Sequence, residues 1–287
     1  MGTAEELPIL VGVDGSEPSL AAVRWAAAEG RRLGRPLRLV HSYLGPMLAA
    51  PMVTPPYAWL PDSLREDAEK LVQHAVGVAR SAAPDVHVTS EVVSGPTGSL
   101  LVDMSGSAHL VVVGHRGHGG FASLLLGSVA TALVAHAHCP TVVVRSAPDE
   151  TGPVVVGVDG SAQSQAALEY AFAAADLRGV PLRVVYAWQP PPPPRRADVH
   201  YDPAEIETAH RHEVRSWVQP VHDKYPHVPV ENFLIAGQPA TSLVDAGRDA
   251  SLLVIGSRGR GGFTGMLLGS VSQQVIHHAS GAVAVIR

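Results

Sequence analysis

The sequence predicts an α/β protein built as two tandem, doubly wound domains, each with a five-stranded parallel sheet. Three observations carry this. Short unbroken apolar runs alternate with helical patterns along the 287 residues. Strands buried on both faces read as such runs, and strand–helix alternation implies parallel pairing through right-handed crossovers. The series then occurs a second time. Ile9-Leu-Val-Gly-Val-Asp14-Gly-Ser16 returns as Val154-Val-Val-Gly-Val-Asp159-Gly-Ser161, and Pro36-Leu-Arg-Leu-Val-His41 returns as Pro181-Leu-Arg-Val-Val-Tyr186. The period is far longer than the roughly 20–50 residues of a solenoid repeat, so each copy is a whole domain.

In the first copy, residues 9–13 form a continuous apolar β-type run. Residues 18–33 are alanine-rich with helical spacing, and residues 37–41 make a second strand. A long helix covers 62–83, with Leu64, Ala68, Leu71, Ala75, Val78 and Ala79 at i, i+3 or i+4 steps. Residues 86–93 read as strand three, 97–107 as a short helix, 110–113 as strand four, 128–138 as a helix and 141–144 as strand five. The second copy repeats the series through 283–286. The domains span 1–146 and 153–287. The join, Ser146-Ala-Pro-Asp-Glu-Thr-Gly-Pro153, is a polar stretch with proline and glycine, short enough to keep the halves in contact. The proline run 190–194 falls inside the second copy, where it replaces the proline-rich loop 44–61 of the first. Polyproline is stiff and extended, and here it reads as a surface loop.

Composition narrows the function. A formal net charge of −5 argues against nucleic acid as a bulk electrostatic partner. Lys70 and Lys224 are the only lysines, so no Gly-Lys-Ser/Thr ending exists and a Walker-type P-loop is excluded. Cys139 is the only cysteine, which rules out an intrachain disulfide and a multi-cysteine metal site. The acidic start lacks the layout of a signal peptide, and no apolar stretch approaches the length of a bilayer span. The expectation is a soluble cytoplasmic protein without a membrane partner.

Chemistry concentrates in one spacing. Gly114-His-Arg-Gly117, nine residues, then Gly127-Ser128 recurs as Gly256-Ser-Arg-Gly259, nine residues, then Gly269-Ser270. Each copy follows an apolar run and precedes a helical pattern, the layout of a phosphate-binding loop. Glycine serves where backbone bends sharply or approaches a ligand closely. Ligands of doubly wound sheets sit beyond the carboxyl ends of the strands, where the strand order reverses. Asp14, Ser42 and Gly114 fall there in the first copy, and Asp159, Ala187 and Gly256 in the second. The carboxylate can accept ribose hydroxyls or help hold a metal, the backbone can read an adenine edge, and the loop can offer N–H groups to phosphates. Ser128 and Ser270 stand at helix starts, where orphan N–H groups and the dipole favour an anion. Arg116, Arg258 and Arg260 supply cations where lysine is missing. For a lone loop, a tight turn and a simple helix cap would explain these residues. Two loops, each matched to an aspartate after strand one, favour phosphate binding.

These residues resemble the universal stress protein family in its tandem-domain form, and the likeness covers nearly the whole chain. The Gly-x2-Gly-x9-Gly-Ser pattern is similar to that of the ATP-binding branch. The resemblance implies an adenine nucleotide alpha-hydrolase-like sheet of strand order 3-2-1-4-5, binding ATP with Mg on the phosphates. Carried over, the first site uses Gly12, Val13, Asp14, Ser42, Gly114, Arg116, Gly117, Gly127, Ser128 and Val129. The second uses Gly157, Val158, Asp159, Ala187, Gly256, Arg258, Gly259, Arg260, Gly269, Ser270 and Val271. It also implies a regulatory role in stress or dormancy with at most slow ATP hydrolysis, a pseudo-twofold pairing of the halves and a homodimer.

Two departures stand out. His118 replaces Arg260, and an unperturbed imidazole is mostly neutral near pH 7, so the second site reads as the stronger phosphate holder. His115 and His118 make the first site the one expected to respond to pH or to stand empty. Ser280-Gly-Ala282 replaces His138-Cys-Pro140, which puts the last strand in question rather than the nucleotide. Among the 15 histidines, the close pairs His136/His138, His210/His212 and His277/His278 are one or two residues apart. Such pairs do not share a helix face, so they are read as surface or interface residues and not as metal ligands. Cys139 has no paired base in sequence, no Gly-x-Ser-x-Gly elbow exists, and no dedicated base with an arginine finger is evident. A true ATPase and an adaptor with empty sites remain the alternatives to a nucleotide-binding regulator.

Overall fold

The computed structural model describes residues 7–43, 62–118, 125–146, 151–189, 203–261 and 267–287. The loop 44–61, the proline run 190–194 and the middle of the interdomain join lie outside the described residues. The chain divides into two compact units, Met1–Ala147 and Pro148–Arg287.

The N-terminal unit runs β1 (Ile9–Gly12), α1 (Glu17–Leu33), β2 (Leu37–Tyr43), α2 (Asp62–Ala82), β3 (Val88–Ser94), α3 (Thr97–Ser105), β4 (Leu110–Gly114), α4 (Ser128–His136) and β5 (Thr141–Val144). Its five strands are parallel in the order β3-β2-β1-β4-β5. The C-terminal unit repeats this with β6 (Val154–Gly157), α5 (Ala162–Arg178), β7 (Leu182–Trp188), α6 (Pro203–His222), β8 (Val230–Ala236), α7 (Pro239–Ala246), β9 (Leu252–Gly256), α8 (Ser270–His278) and β10 (Ala282–Ile286). Its order is β8-β7-β6-β9-β10, again parallel. In each unit the chain winds outward from strand one, then returns to add strand four on strand one's other side. With right-handed crossovers, that reversal places the first two helices on one face and the last two on the other. It also opens a crevice between strands one and four.

Local chemistry sets the element ends. Ser16 caps α1 with extended backbone, its Oγ accepting the Ser19 N–H, and Gly34 closes the helix in the left-handed region at φ 65°. Ser161 and Gly179 do the same for α5. Several boundaries differ from the sequence reading by a residue or two, and for three of them the structure shows why. β3 begins at Val88, because the Ala83–Val86 turn is closed by the Val86 N–H on the Ala83 carbonyl at 3.2 Å. α3 stops at Ser105, where Gly106 turns its N–H back to Asp103 and Met104. α4 stops at His136 and the chain extends at Ala137 (ψ 148°) ahead of Pro140, which cannot continue a helix. β10 forms despite Ser280-Gly-Ala282. Its five residues are all buried and pair with β9 from Val283↔Leu253 to Ile286↔Gly256.

Strands β1, β5, β9 and β10 are buried along their whole lengths. Among the described residues Phe172 of α5 is the largest fully enclosed side chain, its ring stacked with those of His222 and Tyr225 at 5.9 Å each. Phe172→Ala is expected to cost about 3–5 kcal/mol. Denaturant unfolding of the full chain would show this as a lowered midpoint.

Candidate functional site

The site grows from the turn that follows strand one. Gly15 and Gly160 take φ of 82° and 77°, a conformation open to glycine, and so let the chain reverse from strand into helix. The reversal folds the preceding aspartate back over the helix start. Asp14 Oδ1 accepts the Ser16 N–H at 3.0 Å and the Ser16 hydroxyl at 2.6 Å. Asp14 Oδ2 accepts the His118 N–H at 2.9 Å, across the crevice and 104 residues on. Asp159 repeats the arrangement with the Ser161 N–H and the Arg260 N–H, both at 2.9 Å. The aspartate's own N–H donates to Ser19 Oγ in one unit and Ser164 Oγ in the other, each at 3.3 Å. Partial burial alone would raise both carboxyl pKa values, but the hydrogen bonds from Ser16, His118 and Ser19, or Ser161, Arg260 and Ser164, outweigh it and hold both below the ordinary range. Ser19 and Ser164 were missed from sequence. Their signal was an Asp-Gly-Ser-x2-Ser pattern present twice.

The loop glycines do not need an unusual backbone conformation. Among the described residues, positive φ occurs at Gly15, Gly34, Gly95, Gly160 and Gly179, and at none of the phosphate-loop glycines. Their need is space, and protein atoms fill it. A Cβ on Gly114 would stand 2.6 Å from the Pro18 carbonyl carbon, and one on Gly256 2.9 Å from that of Gln163, so these glycines let the first helix lie against strand four. A Cβ on Gly117 or Gly259 would fall on the Asp14 or Asp159 carboxylate. Gly12 and Gly157 make room for Leu101 and Leu243 from the opposite face. Gly127 and Gly269, not the serines, are the N-caps of α4 and α8. Their own N–H groups are spent on the His115 and Ser257 carbonyls at 2.8 Å. The first intrahelical bonds come from Thr131 and Gln273. The N–H groups of Ser128 and Val129, and of Ser270 and Val271, therefore remain outside the helical ladder.

Ser42 and Ala187 lie inside β2 and β7, paired with Val93 and Ile235, because the neighbouring strand runs beside them for seven residues. The Ser42 hydroxyl donates to the Gly95 carbonyl at 2.5 Å. The Val13 and Val158 N–H groups continue the sheet, to Val40 at 2.9 Å and Val185 at 3.0 Å.

In the C-terminal unit all eleven predicted residues, Gly157, Val158, Asp159, Ala187, Gly256, Arg258, Gly259, Arg260, Gly269, Ser270 and Val271, line one cavity of about 390 Å³. Val185, Leu243 and Ile255 add apolar wall, and Asp159, Arg258 and the start of α8 supply the polar part. A small-molecule site has this size and composition. In the N-terminal unit the clamp joins Asp14 to the Gly117–His118 segment, and the Gly127 N–H holds α4 to the same loop.

The cations are arranged less simply. Arg116 has a buried Nε with no hydrogen-bond partner, whereas Arg258 is exposed. Burial, then repulsion from Arg116, lowers the pKa of Arg145, which follows β5. Burial, then repulsion from Arg258, does the same to Arg287 after β10. Each loop arginine thus faces a second cation. Sequence reasoning missed Arg145 and Arg287, although both copies of strand five end on arginine. Burial, then the charges of Arg145 and Arg116, lowers the His115 pKa, so this imidazole is neutral near pH 7 and brings no charge to the loop. Arg260, expected to face phosphates, pairs with Glu213 of α6 at 2.9 Å. Among the described residues no three His, Cys, Asp or Glu side chains converge on a point that could hold a metal. Burial pushes the Cys139 thiol up to about 11, in keeping with a filler. Among the described residues, no helix is long and apolar enough to cross a membrane.

Two outcomes follow from the clamp. Its carboxyl pKa values are depressed in the folded state, so its contribution is complete above the ordinary aspartate value of about 3.9 and is lost as pH falls through the lower folded value. Hydrogen-exchange protection of the His118 and Arg260 amides, corrected for intrinsic rates, should persist from neutral pH past the ordinary aspartate value of about 4 and be lost only as pH falls through the lower folded value. Gly117→Ala and Gly259→Ala should strip the same protection at neutral pH while leaving the central strands protected.

Comparison with known proteins completes the description. The model of the universal stress protein family matches residues 7–145 and again 150–287. A universal stress protein of Mycolicibacterium smegmatis is 37% identical, over 99% of this chain and 98% of its own length. One from Mycobacterium tuberculosis is 36% identical, over 98% of this chain and 96% of its own. Among solved structures, a universal stress protein of Archaeoglobus fulgidus superposes with a TM-score of 0.68 at 19% identity, covering 98% of this chain and 96% of that one, which speaks for the fold. Matched in both halves and aligned to its relatives almost end to end, the chain belongs to the universal stress protein family.

Proposed function

We propose that each unit binds ATP or another adenine nucleotide and that the chain works as a nucleotide-dependent regulatory module. The observation that carries this is the convergence of all eleven predicted C-terminal residues on a single cavity. Its apolar wall suits a base, and the free N–H groups at the start of α8, with Arg258 beside them, suit phosphates. Asp159 keeps acceptor capacity beyond its two loop bonds and stands where a ribose would lie. Magnesium fits as a passenger on the phosphates, since no protein cage for a metal is present among the described residues.

The clamp also supports binding over turnover. A carboxylate with a depressed pKa is a weak general base near neutral pH, and Asp14 and Asp159 are already engaged with the loop. Hydrolysis is therefore slow at most. The stress-response setting is proposed from family membership.

Nucleotide extracted from freshly purified protein tests the reading, with adenine nucleotide expected at one or two per chain. ATP at a hundred times its Kd should stabilise the fold by about 2.7 kcal/mol. The Asp14→Ala, Asp159→Ala double variant should remain folded and lose most of that shift. No bound nucleotide and no shift with ATP would leave an adaptor, and many turnovers per minute would make the protein an ATPase.

A further inference from the structure

The two units differ where the glycine loop meets the helix after strand two. Leu71 of α2 lies beneath Gly15, and Trp217 of α6 holds the matching place beneath Gly160, 3.0 and 2.5 Å from where a Cβ would stand. Arg260 crosses Gly160, stacks on the Trp217 ring at 5.0 Å and donates to Glu213 Oε1 at 2.9 Å. The first copy has no such bridge at these positions. There His118 stands in place of Arg260, its Nδ1 3.9 Å from Asp14 Oδ1. Asp67, in step with Glu213, pairs with Lys70 at 3.3 Å.

Arg260 is therefore tied at both ends. Its N–H is fixed to Asp159, so its Cα stays at the rim of the cavity it helps line. Its guanidinium is free to move only by side-chain rotation. The tie to α6 is weak, because the Arg260 side chain is 51% exposed and Glu213 36% exposed, and exposed pairs are screened by water. A guanidinium prefers a doubly charged phosphate with several acceptor oxygens to a single carboxylate.

We propose that helix α6 and the ligand's outer phosphates compete for the Arg260 guanidinium, so that the Glu213–Trp217 latch sets how strongly the C-terminal site prefers nucleotides with more phosphates. This rests on the nucleotide-binding reading above. A monophosphate is served by the amides at the start of α8 and leaves the latch closed. A triphosphate reaches the rim and draws Arg260 off the indole, which frees that face of α6.

Isothermal titration of ATP and AMP into the full chain carrying Asp14→Ala reads the C-terminal site alone. Adding Glu213→Gln should tighten ATP about five-fold and leave AMP within two-fold. Adding Arg260→His, the residue of the first copy, should weaken ATP about ten-fold with AMP again unchanged, and Arg260→Lys should restore part of the loss. Tryptophan emission should shift on ATP and not on AMP, and Trp217→Phe should remove that shift. An ATP-to-AMP ratio indifferent to Glu213 and Arg260 overturns the latch while the nucleotide reading stands. Failure of the parent chain to bind either nucleotide overturns both.

Discussion

The aspartate after strand one is the joint on which each site hangs. Strand four lies beside strand one only because the winding reverses there, and the chain leaves the sheet after Gly114 in one unit and Gly256 in the other. One carboxylate ties that loop to the first helix cap: Asp14 joins Ser16 to His118, and Asp159 joins Ser161 to Arg260. Much of the local sequence follows from this single contact. The turn glycine must reverse the chain so that the carboxylate points back. The second loop glycine must lack a side chain because the carboxylate occupies that space. The serine three residues after the cap must receive the aspartate's own N–H. Donors aimed at both carboxylate oxygens keep the group charged although it is half-buried, so charge and geometry sustain each other.

What could be read from sequence was what is local. Apolar runs gave the strands, alanine-rich and i, i+4 patterns the helices, and the doubled glycine spacing marked the loop that follows the fourth strand of each unit. What could not be read from sequence involves contacts across the fold. Gly114 and Gly256 looked like ligand-facing glycines, but their neighbours are Pro18 and Gln163 on the first helix. Gly127 and Gly269 looked like amide donors, but a carbonyl at the start of the same loop, that of His115 or Ser257, already takes their N–H. Ser128 and Ser270 looked like possible caps, but they stand one residue inside the helix. Arg260 looked like a free phosphate partner, and no pattern near residue 260 could announce a glutamate 47 residues before it. β10 formed in spite of its unusual approach, since burial between β9 and the helices decides a strand more than the residues that lead into it.

Charge is handled differently in the two units, on an almost identical frame. Both place a loop arginine within range of a second arginine at the end of the last strand, and both pairs repel. An arriving anion would relieve that repulsion, which is a reason for like charges to be kept so close. Around this shared pair the details diverge. The N-terminal unit carries two imidazoles on its loop, one of them kept neutral by burial and then by the neighbouring arginines. The C-terminal unit surrounds its loop with aromatic rings, where Tyr186 and Trp217 meet edge to face at 5.8 Å and Arg260 lies over the indole.

The clamp takes from residue 118 or 260 only a main-chain N–H, which any residue but proline possesses. The side chain at that position is thus released from any duty to the fold. Histidine stands there in one half and arginine in the other, with the same 2.9 Å bond from main chain to aspartate. A duplicated domain built this way can explore new ligands by exchanging one side chain at the mouth of its crevice, while the architecture beneath inherits no penalty. The position behaves as a tuning peg on a fixed string, and the two halves of this chain are two settings of it.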